Sequence, residues 1–299
     1  MDRIDLVSTH LHPYRKEGEK FSRPFPDAER LLREGWAVKP ENYLPPLNID
    51  ISPRKVSLKT KQRVKQTEST KVSVHMATFQ GREWCLKESV SSLLNQCDEL
   101  NIWMNGYEKD SVLPDILSDP KIKLHFGEDV GDIGKFMNWH KWNGYIFTCD
   151  DKLIYAPDYV ERCIELIEKH GRKAVVSAHG RNLKPNCKSY YNDPQDFFGC
   201  LGLVKNEESV HELGTGAMSL HSSVLKGFSL DYFTYTNMTD ILFSIYLNEK
   251  RIPRIVIPHE NGWIKSSKFL KKPSISTSAN KNDKLHTDIV NSITWESCQ

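Results

Sequence analysis

The chain of 299 residues lacks the patterns that assign a protein to several common classes. No apolar run comes close to the ~20 residues that a membrane-spanning helix needs. The formal net charge is only +2, from 41 basic and 39 acidic residues. This balance argues against a nucleic-acid-binding domain, which is usually strongly basic. The first residues, MDRIDLVSTHLHPYRKEGEK, are too polar for a signal peptide.

The cysteines also lack a pattern. There are seven of them, an odd number, with no CxxC spacing and no cluster of Cys and His. Scattered thiols of this kind are typical of a reducing compartment, so we expect a cytoplasmic protein. The length allows one large α/β domain with extra segments or two small domains.

The first 70 residues are polar and contain several prolines. PDAERLLREGWAV (26–38) predicts a short helix that begins near Pro26 or Asp27. SPRKVSLKTKQRVKQTESTK (52–71) is basic, and such a segment can lie against the inner face of a membrane or a partner protein, although a solvated arm is more common. We predict an N-terminal arm with a helical extension (1–70), a main domain (71–265) and a flexible C-terminal tail (266–299).

From Lys71 onward, strands alternate with helices. Helices are predicted over 82–97, 157–171 and 237–252, and the polar, aromatic stretch over 181–200 predicts a mobile loop. The alternation predicts an α/β fold with a mostly parallel central sheet and helices on both faces. The predicted strands are 71–79, 99–105, 121–127, 144–150, 173–180 and a strand and turn within 254–265.

Residues capable of chemistry follow several of these strands. Because open parallel sheets bind ligands at the carboxyl ends of their strands, these residues predict one crevice. Asp150 and Asp151 are the strongest signal, since buried carboxylates are costly unless they are paired or bind a hard cation such as Mg²⁺. The structural alternative is an Asx turn or a pair of anions before the helix that starts near Pro157.

Three further residues each have a functional and a structural interpretation. Lys135 lies in GDIGKF (131–136), where glycine amides and a lysine could meet a diphosphate, or form an ordinary turn; the stretch lacks the P-loop frame. Asp240 is either a catalytic carboxylate or a helix cap, a role that Asn237 or Thr239 could also take. His259 is either a ligand of a metal or diphosphate, or a structural histidine.

Six stretches together resemble glycosyltransferases of the GT-A fold, in order and in spacing. The resemblance covers about residues 71–265. More narrowly, these stretches are similar to those of bacterial capsule and heparosan-type N-acetylglucosaminyltransferases. It implies a Rossmann-like, family-2-like domain that takes a UDP-sugar and a glycan or glycolipid acceptor in capsule polysaccharide or lipopolysaccharide biosynthesis. The stretches are SLLNQCDELNIWMN, GDIGKF, FTCDDKLIYAPDYVE, VVSAHG, ELGTGAMSL and MTDILFSIYLNEKRIPRIVIPHENGW.

The resemblance also implies a role for each matching residue. It places the nucleoside at Thr78, Arg82 and Asn105, and the donor at Lys135. Asp150 and Asp151 match the start of the family's aspartate motif, and Asp240 matches the acidic residue near the reaction centre. His259 falls in the segment that closes over the diphosphate. The loop beneath the donor sugar and the acceptor is matched by Gly214, Thr215 and Gly216.

Lys152 departs from the family motif, which usually runs Asp-Asp-Asp and binds a divalent metal through its last carboxylate. Either the lysine replaces the metal electrostatically, or Asp151 and His259 hold Mn²⁺ or Mg²⁺ while Lys152 points away. A third interpretation is an inactive domain that serves as a partner in a glycan-synthesis complex. A sugar nucleotidyltransferase is a weaker alternative, because MATFQGREW has only one glycine.

Overall fold

The computed structural model describes residues 3–8, 20–24, 37–38, 70–269 and 283–296. The chain divides into two compact units, Met1–Gln66 and Thr67–Gln299. In the ranges described, no helix is long and apolar enough to cross a bilayer.

The first unit contains a small antiparallel sheet. Its central strand β1 (Arg3–Ser8) pairs with β2 (Lys20–Pro24) on one side and with β3 (Ala37–Val38) on the other. The predicted helix over 26–38 lies outside the described residues except for its last two. These two are strand rather than helix, because Val38 pairs with Val7 of β1. Of the basic segment, residues 52–69 lie outside the described residues.

The second unit is built on an eight-stranded sheet with the order β12-β15-β9-β14-β7-β4-β5-β6. Every strand in it runs parallel except β12 and β14. The strands are β4 (Val72–Phe79), β5 (Glu99–Asn105), β6 (Ile122–Gly127), β7 (Tyr145–Asp150), β9 (Val175–Ser177), β12 (Glu208–Ser209), β14 (Ala217–His221) and β15 (Arg254–Val256).

Shorter strands and four α-helices complete the described part of this unit, residues 70–269 and 283–296. β10 and β11 form a hairpin that β13 extends, and β16 pairs with β8. The short strands are β8 (Leu153–Ile154), β10 (Gly180–Leu183), β11 (Pro194–Phe198), β13 (Glu212–Leu213) and β16 (Lys265–Ser266). The helices are α1 (Glu83–Leu93), α2 (Tyr159–Lys169), α3 (Thr239–Glu249) and α4 (Lys284–Asn291).

Apolar side chains cover both faces of the central sheet. In β7, Phe147 packs in a cluster with residues of α1 and α2, whereas its neighbour Ile146 packs in a second cluster with residues of α3. Successive side chains of a strand point to opposite faces, so the two clusters lie on opposite sides of the sheet. This arrangement confirms the predicted α/β fold class, a Rossmann-like, mostly parallel sheet with helices on both faces.

Two segments differ from the expectations. The stretch over 181–200, predicted as a mobile loop, contributes the hairpin β10–β11, whose backbone pairs from Gly180 and Phe198 onward. The C-terminal segment contains α4, which buries Val290 in the cluster around α3. Both segments are locally polar, and their order comes from tertiary contacts that a local sequence pattern does not contain.

Candidate active site

A cavity of about 520 Å³ opens where the carboxyl ends of β7 and β9 meet the start of the antiparallel β14. This edge is the one at which parallel sheets bind ligands. Six of the residues that the sequence singled out lie around it. They are Lys135, Asp150, Lys152, Gly214, Gly216 and Asp240.

Two lysines flank the carboxylate at the end of β7. Lys135 Nζ lies 2.6 Å from Asp150 Oδ1, and Lys152 Nζ lies 3.2 Å from Asp150 Oδ2. Burial opposes ionisation of Asp150, but the two ammonium groups outweigh it and hold the pKa of this carboxyl well below its ordinary value. Burial also disfavours charge on Lys135, and Asp150 with Asp132 nevertheless raises the pKa of its ammonium group. The cluster therefore carries two positive charges and one negative charge.

The loop between β13 and β14 packs directly against this cluster. A Cβ atom on Gly216 would lie 2.6 Å from Asp150 Cγ, and one on Gly214 would lie 2.4 Å from a ring carbon of His179. The carbonyl oxygen of Gly216 accepts hydrogen bonds from the Asp150 amide, at 2.8 Å, and from the Tyr155 hydroxyl, at 2.6 Å. The glycines thus let the backbone approach the side chains that line the cavity.

Gly216→Ala is expected to lower activity and stability together. The added methyl group must displace Asp150, whose two oxygens are held by lysines, and overpacking of this kind costs about 1–3 kcal/mol. Turnover and urea unfolding measure the two effects. Gly202→Ala is the control, because a Cβ there has no contact shorter than 3.4 Å. Equal behaviour of the two variants would contradict the role given to Gly216.

Asp240 lies in the first turn of α3 and faces the cavity. Its Oδ1 accepts hydrogen bonds from the amide of Thr215, at 2.8 Å, and from the Thr215 hydroxyl, at 2.6 Å. Its Oδ2 makes no hydrogen bond within the described part of the chain. Asp132, which the sequence analysis missed, caps α3 instead: it accepts hydrogen bonds from the amides of Asn237 and Thr239, at 2.7 and 3.0 Å. Asp240 is therefore not needed as a cap.

Asp151, in contrast, is buried beside the cavity and does not line it. Its Oδ2 accepts a hydrogen bond from the Thr78 hydroxyl at 2.7 Å, and its Oδ1 forms an ion pair with Arg82 Nη1 at 2.8 Å. Asn105 is also engaged internally, since its side chain bonds the backbone of Val130 and Gly131. These residues hold β4 and the segment before Lys135 in place.

His259 is a buried residue of the segment after β15. Its Nε2 lies 3.1 Å from the carbonyl oxygen of Ala178, and its ring stacks on Trp263 with the centroids 5.6 Å apart. Neither His259 nor Asp151 lines the cavity, so the structure does not bring the two expected metal ligands together there. Among residues 70–269 and 283–296, no group of three or more His, Cys, Asp or Glu side chains is arranged to hold a metal ion.

One wall of the cavity consists of residues that the sequence analysis did not select. We call Tyr190, Tyr191, Phe197 and His286 the aromatic wall. Helix α4 supplies His286, whose ring stacks on Tyr190 with the centroids 5.4 Å apart. The same helix fixes the wall's backbone, because the amide of Tyr190 donates to Thr287 Oγ1 at 3.0 Å. The adjacent tyrosines were the only sequence signal for this wall.

Behind the aromatic wall lies a fully buried carboxylate, Glu212. It accepts a hydrogen bond from the Tyr190 hydroxyl at 2.6 Å, and its Oε1 is 3.7 Å from Arg181 Nε. Burial raises the pKa of Glu212 from its ordinary 4.5 to about 7, although the charge of Arg181 acts in the opposite direction. This carboxyl therefore changes its protonation state near neutral pH.

For Glu212→Gln, the free energy of unfolding is expected to increase relative to that of the wild type as the pH rises from 5 to 8. Between about pH 4.5 and 7, the unfolded wild-type chain binds fewer protons than the folded one, so its free energy of unfolding falls across this window. Glutamine does not titrate, and the difference approaches about 3 kcal/mol. Urea unfolding at both pH values measures it, with the exposed Glu161→Gln as control. A difference that does not change with pH would contradict the raised pKa.

Comparisons with known proteins found similarity among solved structures. No protein-family model matches the chain, and no curated protein matches it. Among solved structures, TarS 1–349 of S. aureus in complex with UDP-GlcNAc is similar to it, with a TM-score of 0.48 and 14% sequence identity. The match covers 70% of this chain and 61% of the TarS chain, so this chain spans less than two thirds of that protein.

Proposed function

We propose that the protein is a glycosyltransferase that moves a sugar, an N-acetylhexosamine, from a UDP-sugar to a glycan or glycolipid acceptor. One observation carries the proposal: the cluster of Lys135, Asp150 and Lys152 faces the same cavity as the carboxylate of Asp240. The first group suits a leaving diphosphate, and the second suits an acceptor hydroxyl. The resemblance in sequence supports the same reaction.

The lysines stabilise the leaving group. When the bond between the sugar's anomeric carbon and the diphosphate oxygen breaks, negative charge develops on UDP. Lys135 is held in place by Asp150, so its ammonium group needs no reorganisation to meet this charge. Lys152 is about a quarter exposed and lies on the solvent side of Asp150, where it can turn toward the diphosphate.

The side chains present do not fit a divalent cation. Both oxygens of Asp151 are engaged by Thr78 and Arg82, and both oxygens of Asp150 are engaged by lysines. A divalent cation next to two ammonium groups would be repelled. We therefore assign charge neutralisation to Lys135 and Lys152, and no step of the proposed reaction uses a metal.

Asp240 acts on the acceptor. Thr215 fixes one of its oxygens, which leaves Oδ2 for the acceptor hydroxyl. In an inverting reaction this oxygen takes the hydroxyl proton as general base, and in a retaining reaction it positions the acceptor. Thr78 and Arg82 act as positioning residues, since they hold Asp151 next to Asp150.

The release of free UDP from UDP-GlcNAc tests this function, first without and then with added acceptor glycans. A glycosyltransferase releases UDP in either case, slowly by hydrolysis and faster by transfer. Pyrophosphate released from UTP and N-acetylglucosamine 1-phosphate would indicate a nucleotidyltransferase instead. A protein that binds no UDP and releases none would be an interaction domain of a glycan-synthesis complex. We also propose that the enzyme acts in capsule or lipopolysaccharide biosynthesis. In the same proposal, the basic segment contacts the membrane.

A further inference from the structure

Arg181 is a buried cation in the wall of the cavity. It belongs to β10 and is only 5% exposed, yet it lines the cavity together with Asp240. Aromatic rings surround its guanidinium group: Cζ lies 4.3 Å from the centroid of Tyr190 and 5.4 Å from that of Phe197. Contacts of this kind hold the planar group in one orientation.

The hydrogen-bonding capacity of Arg181 is largely unused. Nη1 donates to the carbonyl oxygen of Tyr190 at 2.9 Å. Nε is 3.7 Å from Glu212 Oε1, beyond hydrogen-bond distance, and has no partner. Nη2 makes no hydrogen bond to any residue that the structure describes. A buried charge with unused donors is costly unless a ligand completes it. Glu212, whose Oε1 is the carboxylate oxygen 3.7 Å from Nε, is only partly ionised near neutral pH, because burial raises its pKa to about 7.

The position of Asp240 relates Arg181 to the reaction. Burial and then the Asp240 carboxylate raise the pKa of Tyr191, in the aromatic wall, to about 12. The same carboxylate also contributes, after Asp150 and Asp132, to the raised pKa of Lys135. Arg181, Asp240 and the two lysines all line one cavity, so a ligand held by Arg181 shares that cavity with the Asp240 carboxylate. In the proposed reaction, Asp240 acts on the acceptor, and we therefore assign the ligand of Arg181 to the acceptor.

We propose that Arg181 binds an anionic group of the acceptor, a carboxylate or a phosphate, while the aromatic wall packs against the adjoining sugar ring or polyol. This inference rests on the proposed function, because it names the chemistry of the acceptor. A guanidinium group forms paired hydrogen bonds with either anion, and its neighbours in the wall provide apolar surface. Arg181 then selects anionic acceptors over neutral ones.

The test uses two matched pairs of soluble probes on protein saturated with UDP, which occupies the lysines. Methyl β-D-glucuronide is compared with methyl β-D-glucoside, and glycerol 3-phosphate with glycerol, by saturation-transfer NMR titration. We expect one charged probe to bind roughly tenfold more tightly than its neutral partner, as for a charge-assisted hydrogen bond. The pair that shows the preference identifies the anion as carboxylate or phosphate. Equal binding within both pairs would overturn the proposal.

Variants assign the preference to Arg181. Arg181→Gln is expected to abolish the preference for the charged probe. Arg181→Lys is expected to keep part of this preference, because lysine retains the positive charge but cannot form the paired hydrogen bonds of a guanidinium group. Lys184→Gln removes one positive charge from an exposed position in the same hairpin, and it should leave the preference intact. A preference that survives Arg181→Gln would contradict the assignment. If the wild-type protein does not bind UDP, that result would instead refute the proposed function. The probe pairs can then be compared on the protein without UDP.

Discussion

Lys135→Gln is expected to reduce the rate of UDP release from UDP-GlcNAc by about 100-fold or more, and to weaken UDP binding. Removal of one preorganised group that stabilises a developing negative charge typically costs this much. Glutamine is shorter than lysine in reach and carries no charge, so it cannot compensate. Lys141→Gln removes one positive charge from an exposed position six residues further along the chain, and it should have little effect. Steady-state kinetics and calorimetry with UDP measure both quantities.

The same substitution also weakens the fold, because it removes a buried ammonium group and leaves the part-buried Asp150 with Lys152 alone. Breaking a buried ion pair costs about 3–5 kcal/mol, and the remaining lysine reduces that cost. The double variant Lys135→Gln/Asp150→Asn separates the two effects. It should recover much of the lost stability, since the Asp150 carboxylate is neutralised together with its buried lysine partner and Lys152 can turn to solvent, but it should not recover activity. Wild-type UDP binding by Lys135→Gln would show that the cluster does not meet the diphosphate.

Asp240→Asn is expected to lower the rate of sugar transfer by about 10²–10⁴-fold, the usual contribution of a positioned general base, while UDP binding stays unchanged. The amide oxygen of asparagine can still accept the hydrogen bonds from Thr215. The side chain therefore keeps its place but loses its charge and basicity. The loss should appear mainly in kcat, and Asp288→Asn, an exposed change on α4, serves as control.

A second readout makes the role of Asp240 specific to the acceptor. Slow hydrolysis of UDP-GlcNAc without acceptor should fall less in Asp240→Asn than transfer does. Equal losses in both reactions would point to a role at the donor instead. An unchanged transfer rate would remove Asp240 from the reaction, and the acceptor hydroxyl would then need another group in the cavity.

The fold was largely predictable because its strands and helices have strong local patterns. The strand that ends at Asp150 and the helix that stops at Gly171, where φ is +61°, both agree with the sequence within about two residues. Lys135 and Asp240, which the sequence analysis selected, line one cavity with Asp150 at the edge of the sheet where the carboxyl ends of the parallel strands meet.

Other parts of the site depend on pairing that no local pattern contains. Thr78 lies at the end of β4 and Arg82 follows the strand, but Asp151 engages both of them internally. Arg181 and His286 come from segments predicted as a loop and a tail, and only tertiary contacts bring them to the cavity. Local sequence patterns identify residues at the ends of strands, but they do not reveal which of these residues pair with each other.

The central claim is that two lysines, rather than a metal ion, neutralise the leaving diphosphate. Calorimetric titration of the purified protein with UDP, once in EDTA and once in Mn²⁺, tests it most directly. The account predicts equal binding under both conditions, and loss of that binding in Lys135→Gln. Binding that occurs only with Mn²⁺ would contradict it, because the carboxylates would then have to leave their lysine and arginine partners to hold a cation.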